Sequence, residues 1–384
     1  MTTTINNEHK KLNVPNLRFP EFQGEWEEST IGEMFDLYSG NTPSRLNKEH
    51  FKGTVNWISS GELKEHYIYS SKEQISEEAA KSLKLLPVGT FVIAIYGLEA
   101  EGVRGTGSIT QEPSTISQAC MSFIQKGEIG NEFLYSWYKK HGNVIGIRYA
   151  QGTKQQNLSY DILEKFRIVY PKTKEQEKLN KLISLLDERI ATQNKIIDKL
   201  QSLIKGLRVS LMQIENGNIV HLGEIAQIYQ PQTISSTELT EDGFLVYGAN
   251  GIIGKYKQYN HKTEQICITC RGNTCGMVNY TKPKSWITGN AMVINTDEHQ
   301  NKVCKRYLYH YLSAYNFNSI ISGSGQPQIV RTPLEQLKVP LPTFLEQKQK
   351  ATFLDKIQGK IEISNKTFNL YLQQKQYLLR QMFI

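Results

Sequence analysis

The chain has 384 residues, which leaves room for two or three domains of roughly 100–200 residues each. It contains no apolar run that approaches the ~18 residues of a membrane span, and no signal peptide is predicted. Five cysteines, an odd number, without a secretion signal favour a reducing cytoplasm. The formal net charge of +8 favours an anionic partner such as nucleic acid.

In chain order, residues 1–16 are predicted to be a tail, and residues 17–170 to be a first globular domain of mixed α/β structure. A small, Gln-rich phrase, GTKQQNL, stands near the end of this domain, from Gly152 to Leu158. A long helix follows within residues 171–214. From Glu175 to about Gln213 the chain has no Pro and one Gly.

The apolar residues of this helix alternate at spacings of three and four, which is an a/d heptad pattern. The pattern predicts a helix of roughly 38 residues, or about 55 Å, whereas an ordinary globular helix averages about 11–12 residues. Gln193 fills one position of the seam. The apolar seam residues are Leu186, Ile190, Ile197, Leu200, Ile204 and Leu207.

A second mixed α/β domain is predicted over residues 215–342. Its segment YGANGIIGK, from Tyr247 to Lys255, is similar to a phosphate-binding loop, but its glycines have the wrong spacing for one. Ala249 stands where that loop needs Gly, and Tyr256 where it needs Ser or Thr. A Gly-rich turn between two short strands is therefore the favoured interpretation.

The cysteines of the second domain allow two interpretations. Cys267, Cys270 and Cys275 have a spacing that suits zinc, and three residues are available as a fourth ligand: His261, His299 or Cys304. However, Glu264–Thr269 alternates like a buried strand, on which Cys267 and Cys270 point to opposite faces. Small, buried structural cysteines are therefore favoured.

The phrase GSGQPQI, from Gly323 to Ile329, repeats the first Gln-rich phrase at an offset of 171 residues. The same offset carries Glu175-Gln176 onto Glu346-Gln347. The upstream text TIGEM, from Thr30, returns as HLGEI at an offset of 191. The chain therefore holds two copies of one unit, with similar ends and a middle that differs in length and text.

A second long helix is predicted over residues 343–384, and the offset of 171 reproduces the first seam position by position. The seam residues are Ile357, Ile361, Phe368, Tyr371 and Leu378, and Ser364 takes the position that Gln193 has in the first seam. Two helices with matching seams in one chain should pack on each other. The first leads from one domain to the next and the second ends the chain, so the pair is predicted to be antiparallel.

The expected fold class is therefore α+β: two tandem mixed domains joined by two long helices that form an antiparallel coiled coil with a pseudo-two-fold axis. We expect a rod with a domain at each end. A DNA duplex also has two-fold symmetry, and dimeric DNA readers place two modules at a fixed separation along it.

The chain resembles the specificity subunit of type I restriction-modification enzymes. The resemblance covers nearly the whole chain and rests on the joint pattern of several phrases. They are LRFPEF-x-G-x-W (Leu17–Trp26), IGE (Ile31–Glu33), SGNTPS (Ser39–Ser44), WISSGEL (Trp57–Leu63), YGANGIIG (Tyr247–Gly254), GQPQI (Gly325–Ile329) and the proline followed by Glu-Gln before each long helix.

This resemblance implies two target-recognition domains, each of which reads one half of a bipartite, asymmetric DNA target. It also implies two methyltransferase subunits that hold S-adenosylmethionine, and translocase-nuclease subunits that use ATP and Mg. No cofactor is expected on this chain. The target sequence is not implied, because recognition domains vary greatly within this family.

Base edges in the major groove are read by Arg, Lys, Asn and Gln side chains. The repeated phrases offer Lys154, Gln155, Gln156, Asn157, Gln326 and Gln328. Because these phrases recur in domains that should read different sequences, a structural or phosphate-directed role stays open. The divergent regions offer Arg45, Lys64, Arg104, Thr106 and Ser108 in the first domain, and Asn250, Arg271, Asn273 and Thr274 in the second. Solvated surface is the alternative for each of them.

The long helices also carry apolar residues outside the seam, and a helix that is apolar beyond one stripe usually buries a second face. We expect that face to bind the methyltransferase subunits, chiefly through Ile196, Leu203, Phe353 and Leu370. Further candidates are Leu182, Ile183, Leu185, Ile363 and Leu379.

A stand-alone nuclease with duplicated DNA-binding domains is the alternative function. Asp36, Glu62 and Lys64 formally imitate the acidic and basic residues of a nuclease. Such loose patterns arise by chance, and no convincing cofactor loop or amino-methyltransferase motif is found. A non-catalytic scaffold that reads DNA is therefore favoured.

Overall fold

The structure is a computed structural model, and it describes residues 12–100, 102–152, 156–213, 218–248, 250–323 and 325–384. The chain divides into two compact units. One unit ends at Thr192 and also takes in Phe368–Ile384, whereas the other is Gln193–Thr367. Each unit therefore contains one globular domain, part of the first long helix and part of the second.

Near the start of the first domain lies a capped turn, in which the Thr30 side chain and Glu33 cap each other's backbone groups. The elements of this domain, and the long helix that follows it, are β1 (Glu27–Thr30), α1 (Ile31–Met34), β2 (Phe35–Ser39), β3 (Val55–Ile58), β4 (Tyr67–Ile68), β5 (Glu73–Ile75), α2 (Glu77–Lys81), β6 (Phe91–Ala94), β7 (Gly107–Thr110), β8 (Ser114–Ile116), β9 (Cys120–Gln125), α3 (Asn131–Tyr149), α4 (Tyr160–Leu163), β10 (Arg167–Tyr170) and α5 (Thr173–Met212).

The second domain begins with an equivalent capped turn, in which Glu224 caps the backbone at His221. Its elements, and the helix that follows, are β11 (Asn218–His221), β12 (Gln227–Tyr229), β13 (Phe244–Gly248), β14 (Gly251–Tyr256), β15 (Ile266–Thr269), β16 (Val278–Tyr280), β17 (Trp286–Ile287), β18 (Ala291–Asn295), α6 (Lys305–Ala314), α7 (Arg331–Glu335), β19 (Lys338–Leu341) and α8 (Phe344–Met382). Short 3₁₀ turns lie at Lys48–Phe51, Ser60–Glu62, Leu222–Glu224, Ser236–Glu238, Asp297–His299 and Phe317–Ser319.

The two domains share their sheet topology except for one additional edge strand, β4, in the first domain. The main sheet has the strand order β2-β9-β6-β7-β4 in the first domain and β12-β18-β15-β16 in the second. A smaller sheet, β5-β3-β8 or β14-β13-β17, contains one parallel pair in each domain. An antiparallel pair of the first and last strands, β1-β10 or β11-β19, closes each domain. The predicted internal repeat is confirmed, and it extends through the middle where the two texts differ.

The long helices α5 and α8 pack in opposite directions within each unit. In the unit that contains the first domain, Lys375 forms an ion pair with Asp187. In the other unit, Gln193 donates to the Ser364 carbonyl at 3.2 Å, and Lys350 donates to the Leu211 carbonyl at 2.7 Å. Contacts thus move down one helix as they move up the other, which confirms the predicted antiparallel pair.

The predicted seam lies in this packing. Each of its apolar residues in both helices is buried or half-buried, and none is exposed. Beyond the seam, the helix ends become part of the domain cores. Leu179 and Ile183 of α5 share the core of the first domain with Leu379, Met382 and Phe383 from the chain's end. The first domain is therefore completed by residues about 200 positions away along the sequence.

A buried glutamine fixes the start of each long helix. In the first copy, the Gln176 side chain donates to the carbonyls of Pro171 and Glu128, at 2.9 and 3.2 Å, and accepts from the Gly130 amide at 3.0 Å. In the second copy, Gln347 makes the equivalent three bonds. They join it to the carbonyls of Pro342 and Lys302 and to the amide of Cys304. The repeated glutamine of the Glu-Gln pair is explained by this clamp, since both amides are buried.

Replacing either clamp glutamine with leucine should destabilise the protein strongly. Gln176→Leu leaves three backbone groups without their partner, and each buried group left unpaired costs about 1–3 kcal/mol. We expect a loss of at least about 2 kcal/mol in thermal or denaturant unfolding. The matched control is Gln201→Leu, at an exposed position of α5, which should change stability by no more than about 0.5 kcal/mol. Equal effects of the two substitutions would contradict the clamp.

Two histidines join the domains to the helices in opposite charge environments. His66 stacks between the rings of Tyr67 and Tyr135, and it lies 2.9 Å from the Glu132 carboxylate and 3.4 Å from that of Asp187. Burial opposes the charged form of His66, but the two carboxylates outweigh it and raise its pKa.

In the second unit, His310 is fully buried and accepts a hydrogen bond from Arg208 at 3.1 Å. Burial, together with the charges of Arg208 and Arg306, lowers the pKa of His310 against the opposing effect of Asp355. His66 is thus favoured in its charged form and His310 in its neutral form.

The substitutions His66→Gln and His310→Gln should therefore have opposite pH dependence. A raised pKa means that His66 stabilises the fold below about pH 6.5, and that this contribution is lost as pH rises through the folded pKa. A lowered pKa means that the unfolded state binds the His310 proton more readily, so acid penalises the native protein. Thermal unfolding between about pH 5.5 and 9 should show His66→Gln costing most in acid and His310→Gln costing most in base. Parallel trends would contradict these assignments.

Candidate nucleic-acid interface

In each domain two loops lie side by side and are joined by main-chain hydrogen bonds. The strand-end loops are residues 95–106, after β6, and residues 270–277, after β15. The Gln-rich loops are residues 151–158 and 322–329, of which 153–155 and 324 lie outside the described residues. In the first domain, the Leu158 amide donates to the Ile95 carbonyl at 2.9 Å. In the second, the Ile329 amide donates to the Cys270 carbonyl at 3.0 Å, at the equivalent position.

The Gln-rich loops are closed by equivalent main-chain bonds in the two domains. Gln151 pairs with Asn157 in one domain as Ser322 pairs with Gln328 in the other, through two main-chain bonds of 2.8–2.9 Å. The turns use Gly152 and Gly323, whose φ angles of 112° and 94° favour glycine. A Cβ atom at position 323 would also lie 2.4 Å from the carbonyl oxygen of Gln326. The glycine at the start of each repeated phrase thus has a structural cause.

The second domain brings together most of its predicted DNA-binding residues. Arg271 and Gln328 are paired across the two loops, both are exposed, and both line a surface depression of about 210 Å³. Asn273 and Gln326 are exposed on the same two loops, and Thr274 is half-buried beside them. Asn250 is exposed on a different element, at the turn of the β13-β14 hairpin.

In the first domain the equivalent loops are more enclosed. Asn157 is paired with Tyr96, and the main chain of Gln156 is held by Leu98 and by the Glu99 carboxylate at 2.9 Å. Arg104 is half-buried and lies over Gly146 of α3. Its Nε and the Oδ1 of Asn157 are buried without a hydrogen-bond partner among the described residues. The predicted contacts Lys154 and Gln155 lie outside the described residues.

Ser108 is a correction to the sequence analysis. It is 0% exposed in β7, and its hydroxyl donates to the Glu65 carbonyl at 2.6 Å, so it belongs to the sheet rather than to a surface that meets DNA. The half-buried Thr106 turns its hydroxyl to the Val103 carbonyl at 2.7 Å. Divergent text in a strand indicates a changed core as readily as a changed contact surface.

The two remaining basic candidates of the first domain are exposed. Arg45 forms a bidentate ion pair with Glu73, at 2.8 and 2.9 Å, and lies 4.4 Å from the ring centre of Phe51. A guanidinium held in this way must exchange partners before it can bind DNA. Lys64 is exposed beside a 3₁₀ turn.

The nuclease-like residues have structural partners. Glu62 accepts from the Ser59 amide and hydroxyl and from the Lys72 amide, at 2.5–2.9 Å, so its carboxylate caps a turn. Asp36 forms an exposed ion pair with Lys126 at 3.2 Å. These contacts explain both carboxylates without a catalytic role.

The phosphate-loop-like text and the cysteines are also structural. Tyr247 and Gly248 pair with Ile252 and Gly251 across a β-hairpin, which confirms the predicted Gly-rich turn between short strands. Cys267 and Cys270 belong to two different hydrophobic clusters, which confirms that they point to opposite faces. Among the described residues, no group of three His, Cys, Asp or Glu side chains is placed to hold a metal ion. None of the described helices is long and apolar enough to cross a membrane.

The family model for the type I restriction modification DNA specificity domain matches residues 23–202 and again residues 215–370. Both matches include one recognition domain and much of the long helix that follows it. The two matches together cover well over half of the chain. The chain therefore belongs to the type I restriction modification DNA specificity family.

Similar proteins carry the same designation. The EcoprrI specificity subunit of Escherichia coli is 25% identical over 360 residues, which cover 85% of this chain and 86% of that protein. The MjaIX specificity subunit of Methanocaldococcus jannaschii is 28% identical over 211 residues, 52% of this chain and 48% of that protein. These matches confirm the prediction of a specificity subunit rather than a catalytic chain, and they lend no support to a stand-alone nuclease.

The fold is also found in a solved structure. The crystal structure of a type I restriction-modification system S subunit from M. genitalium has a TM-score of 0.66 and 18% sequence identity, and the match covers 97% of this chain and 99% of that chain. At this identity the likeness concerns the fold alone. It confirms the predicted fold class of two tandem mixed domains with long helices.

Proposed function

We propose that this chain is the DNA-reading subunit of a type I restriction-modification complex, and that each domain reads one half of a bipartite, asymmetric target. The observation that carries the proposal is the pair of loops that both domains present on the same backbone. Arg271 and Gln328 occupy the place in the second domain that Tyr96 and Asn157 occupy in the first. One backbone with different side chains suits two half-sites of different sequence.

The long helices fix the number of unread base pairs between the half-sites. They contain 40 and 39 residues, and at 1.5 Å per residue each is roughly 60 Å long. Their continuous seam makes them a stiffer connection than a flexible linker of the same length. A fixed separation of two modules is the device that dimeric DNA readers use.

The helix pair has two different sides. With Ile190, Ile197 and Ile361 at heptad position a, Asp187 and Arg208 fall at position e and face the domains, where they contact His66 and His310. Positions c and g lie on the opposite side, which we name the open side. In an antiparallel pair, the g positions of both helices share one side, as do the e positions.

The open side carries exposed apolar residues in both units. In the unit that contains the second domain it carries Ile196, Leu203, Phe353 and Ile363, which are 41–69% exposed. In the other unit it carries Leu185, Leu370 and Tyr377, which are 48–54% exposed. Apolar residues in such numbers on one side indicate a protein partner. We propose that methyltransferase subunits bind there.

Three further helix residues were predicted to bind partners, namely Leu182, Ile183 and Leu379, but they contact the first domain instead. Ile183 and Leu379 are buried in the core of the first domain, and Leu182 packs against that core. Ile183 in fact lies at a seam position. The prediction that these three residues lie on an outer surface is therefore wrong.

The chemistry of the complex belongs to its other subunits. Methyltransferase subunits would hold S-adenosylmethionine, and translocase-nuclease subunits would use ATP and Mg. The specificity subunit would bring both to double-stranded DNA in the cytoplasm. In support, the two nuclease-like carboxylates of this chain are engaged in structural contacts: Glu62 caps a turn and Asp36 is ion-paired with Lys126.

Exchange of one domain tests the proposed function. Replacing residues 17–170 with the recognition domain of another specificity subunit should change one half-site and leave the other half-site and the spacing unchanged. The measurement is the consensus of the duplexes that the reconstituted complex retains from a random pool. The reciprocal exchange of residues 215–342 is the control and should change the other half-site. A single exchange that alters both half-sites would contradict separate reading.

Charged substitutions on the open side test the partner surface. Ile196→Glu with Leu203→Glu should reduce assembly with methyltransferase subunits at least tenfold, because two carboxylates would have to be buried. The matched control is Asn194→Glu with Gln201→Glu, which places the same charges seven residues apart on the other side of α5, at exposed positions. Both variants should keep the wild-type unfolding temperature. Equal assembly of the two variants in gel filtration would remove this proposal.

A further inference from the structure

The paired loops contain one position at which the backbones of the two domains are equivalent but the side chains differ in chemical type. The main-chain bonds that follow β6 and β15 fix Tyr96 and Arg271 at equivalent points, each across from an amide side chain. The amide is kept in both copies, as Asn157 and Gln328. The residue across from it changes from a phenol to a guanidinium. If each domain reads a different half-site, this position is suited to carry the difference.

The surroundings of Arg271 favour a nucleic-acid contact. It lines the depression together with Gln328, Gln230, Tyr229, Met292 and Arg331. No carboxylate lines that depression among the described residues. Arg331 is held by Glu335 at 2.7 Å, and Gln230 donates to the Gly289 carbonyl at 3.2 Å. Arg271 is exposed, and its guanidinium has no acceptor among the described residues.

A guanidinium presented in this way matches one base edge best. Guanine offers two acceptors in the major groove, O6 and N7, and an arginine fork contacts both at once. A glutamine amide matches the donor and acceptor of adenine. Tyr96 has one hydroxyl and cannot make the two-pronged contact of a guanidinium.

We infer that Arg271 is the specificity-determining residue of the second domain and reads a guanine in its half-site, while Tyr96 holds the equivalent place in the first domain. This inference rests on the proposed function. Gln328 and Asn157 are the shared member of each pair. The difference between the two half-sites then originates from the strand-end loops, and the Gln-rich loops hold those loops in place.

The test uses the full-length chain and a pool of duplexes with randomised bases. Arg271→Lys keeps the charge but loses the fork, so one guanine of one half-site should lose its preference by roughly 10- to 100-fold. The slope of affinity against salt should stay unchanged, because the number of cations is the same. The other half-site should not change.

Two further variants separate this role from a general one. Arg167→Lys, at an exposed arginine of β10 that is ion-paired with Glu28 and lies outside both pairs of loops, should leave the consensus unchanged. Tyr96→Arg should add a guanine preference to the other half-site. Thermal unfolding checks that each variant is folded.

The outcomes distinguish the inference from the proposed function. If the wild-type chain retains no consensus sequence, the proposed function fails. If it retains a bipartite consensus that Arg271→Lys leaves intact, the inference is overturned and the function stands. A uniform loss of affinity for all duplexes would make Arg271 a phosphate contact and would also overturn the inference.

Discussion

The pairing of two long helices that run in opposite directions is the constraint on which the rest of the structure depends. Because the pair is antiparallel, each compact unit is built from one domain, the near part of one helix and the far part of the other. The core of the first domain includes Phe383, whose ring lies 5.2 Å from that of Phe133. The first domain is therefore complete only with residues from the end of the chain, and the second domain packs against the end of α5.

A protein that reads variable DNA targets must vary its side chains while it keeps its backbone. The duplication shows which contacts hold that backbone. The buried amides of Gln176 and Gln347 make equivalent sets of three bonds, and Gly152 and Gly323 both have positive φ angles. The strand-end loops differ in length and residues, although they begin from equivalent strands. The two copies therefore share the contacts that hold the backbone and differ in the loops proposed to contact DNA.

Much of the architecture could be predicted from the sequence, because its strongest signals are periodic or repeated. The heptad spacing predicted the bounds of both long helices to within a few residues, and the repeated Glu-Gln pair predicted where each helix begins. The shared topology of the middle regions could not be predicted. Its strands have only two to six residues, and the parallel partners β3 and β8 are far apart in the chain. A local pattern contains no information about such distant pairing.

The candidate site was predictable only in part. Residue chemistry identified Arg271 and Gln328, and the structure placed them together. It also showed why Ser108 was a poor choice, because a hydroxyl in a buried strand satisfies a neighbouring carbonyl. The importance of Tyr96 escaped the sequence analysis, since it depends on the alignment of two loops whose texts share little. Ile183 and Leu379 were misassigned because an apolar side chain at a helix end serves a domain core and a partner equally well.

The central claim, that the helix pair sets the distance between two half-sites, is tested most directly by lengthening both helices. Four residues inserted near Leu200 and four near Ile361, which lie in the same apolar cluster of the helix pair, keep the antiparallel seams opposed and add roughly 6 Å. At about 3.4 Å per base pair, the unread spacer should grow by one or two base pairs while both half-sites stay the same. The measurement is binding to duplexes that carry the two half-sites at every spacing from a graded series. A lengthened protein that folds and binds at the original spacing would contradict the account.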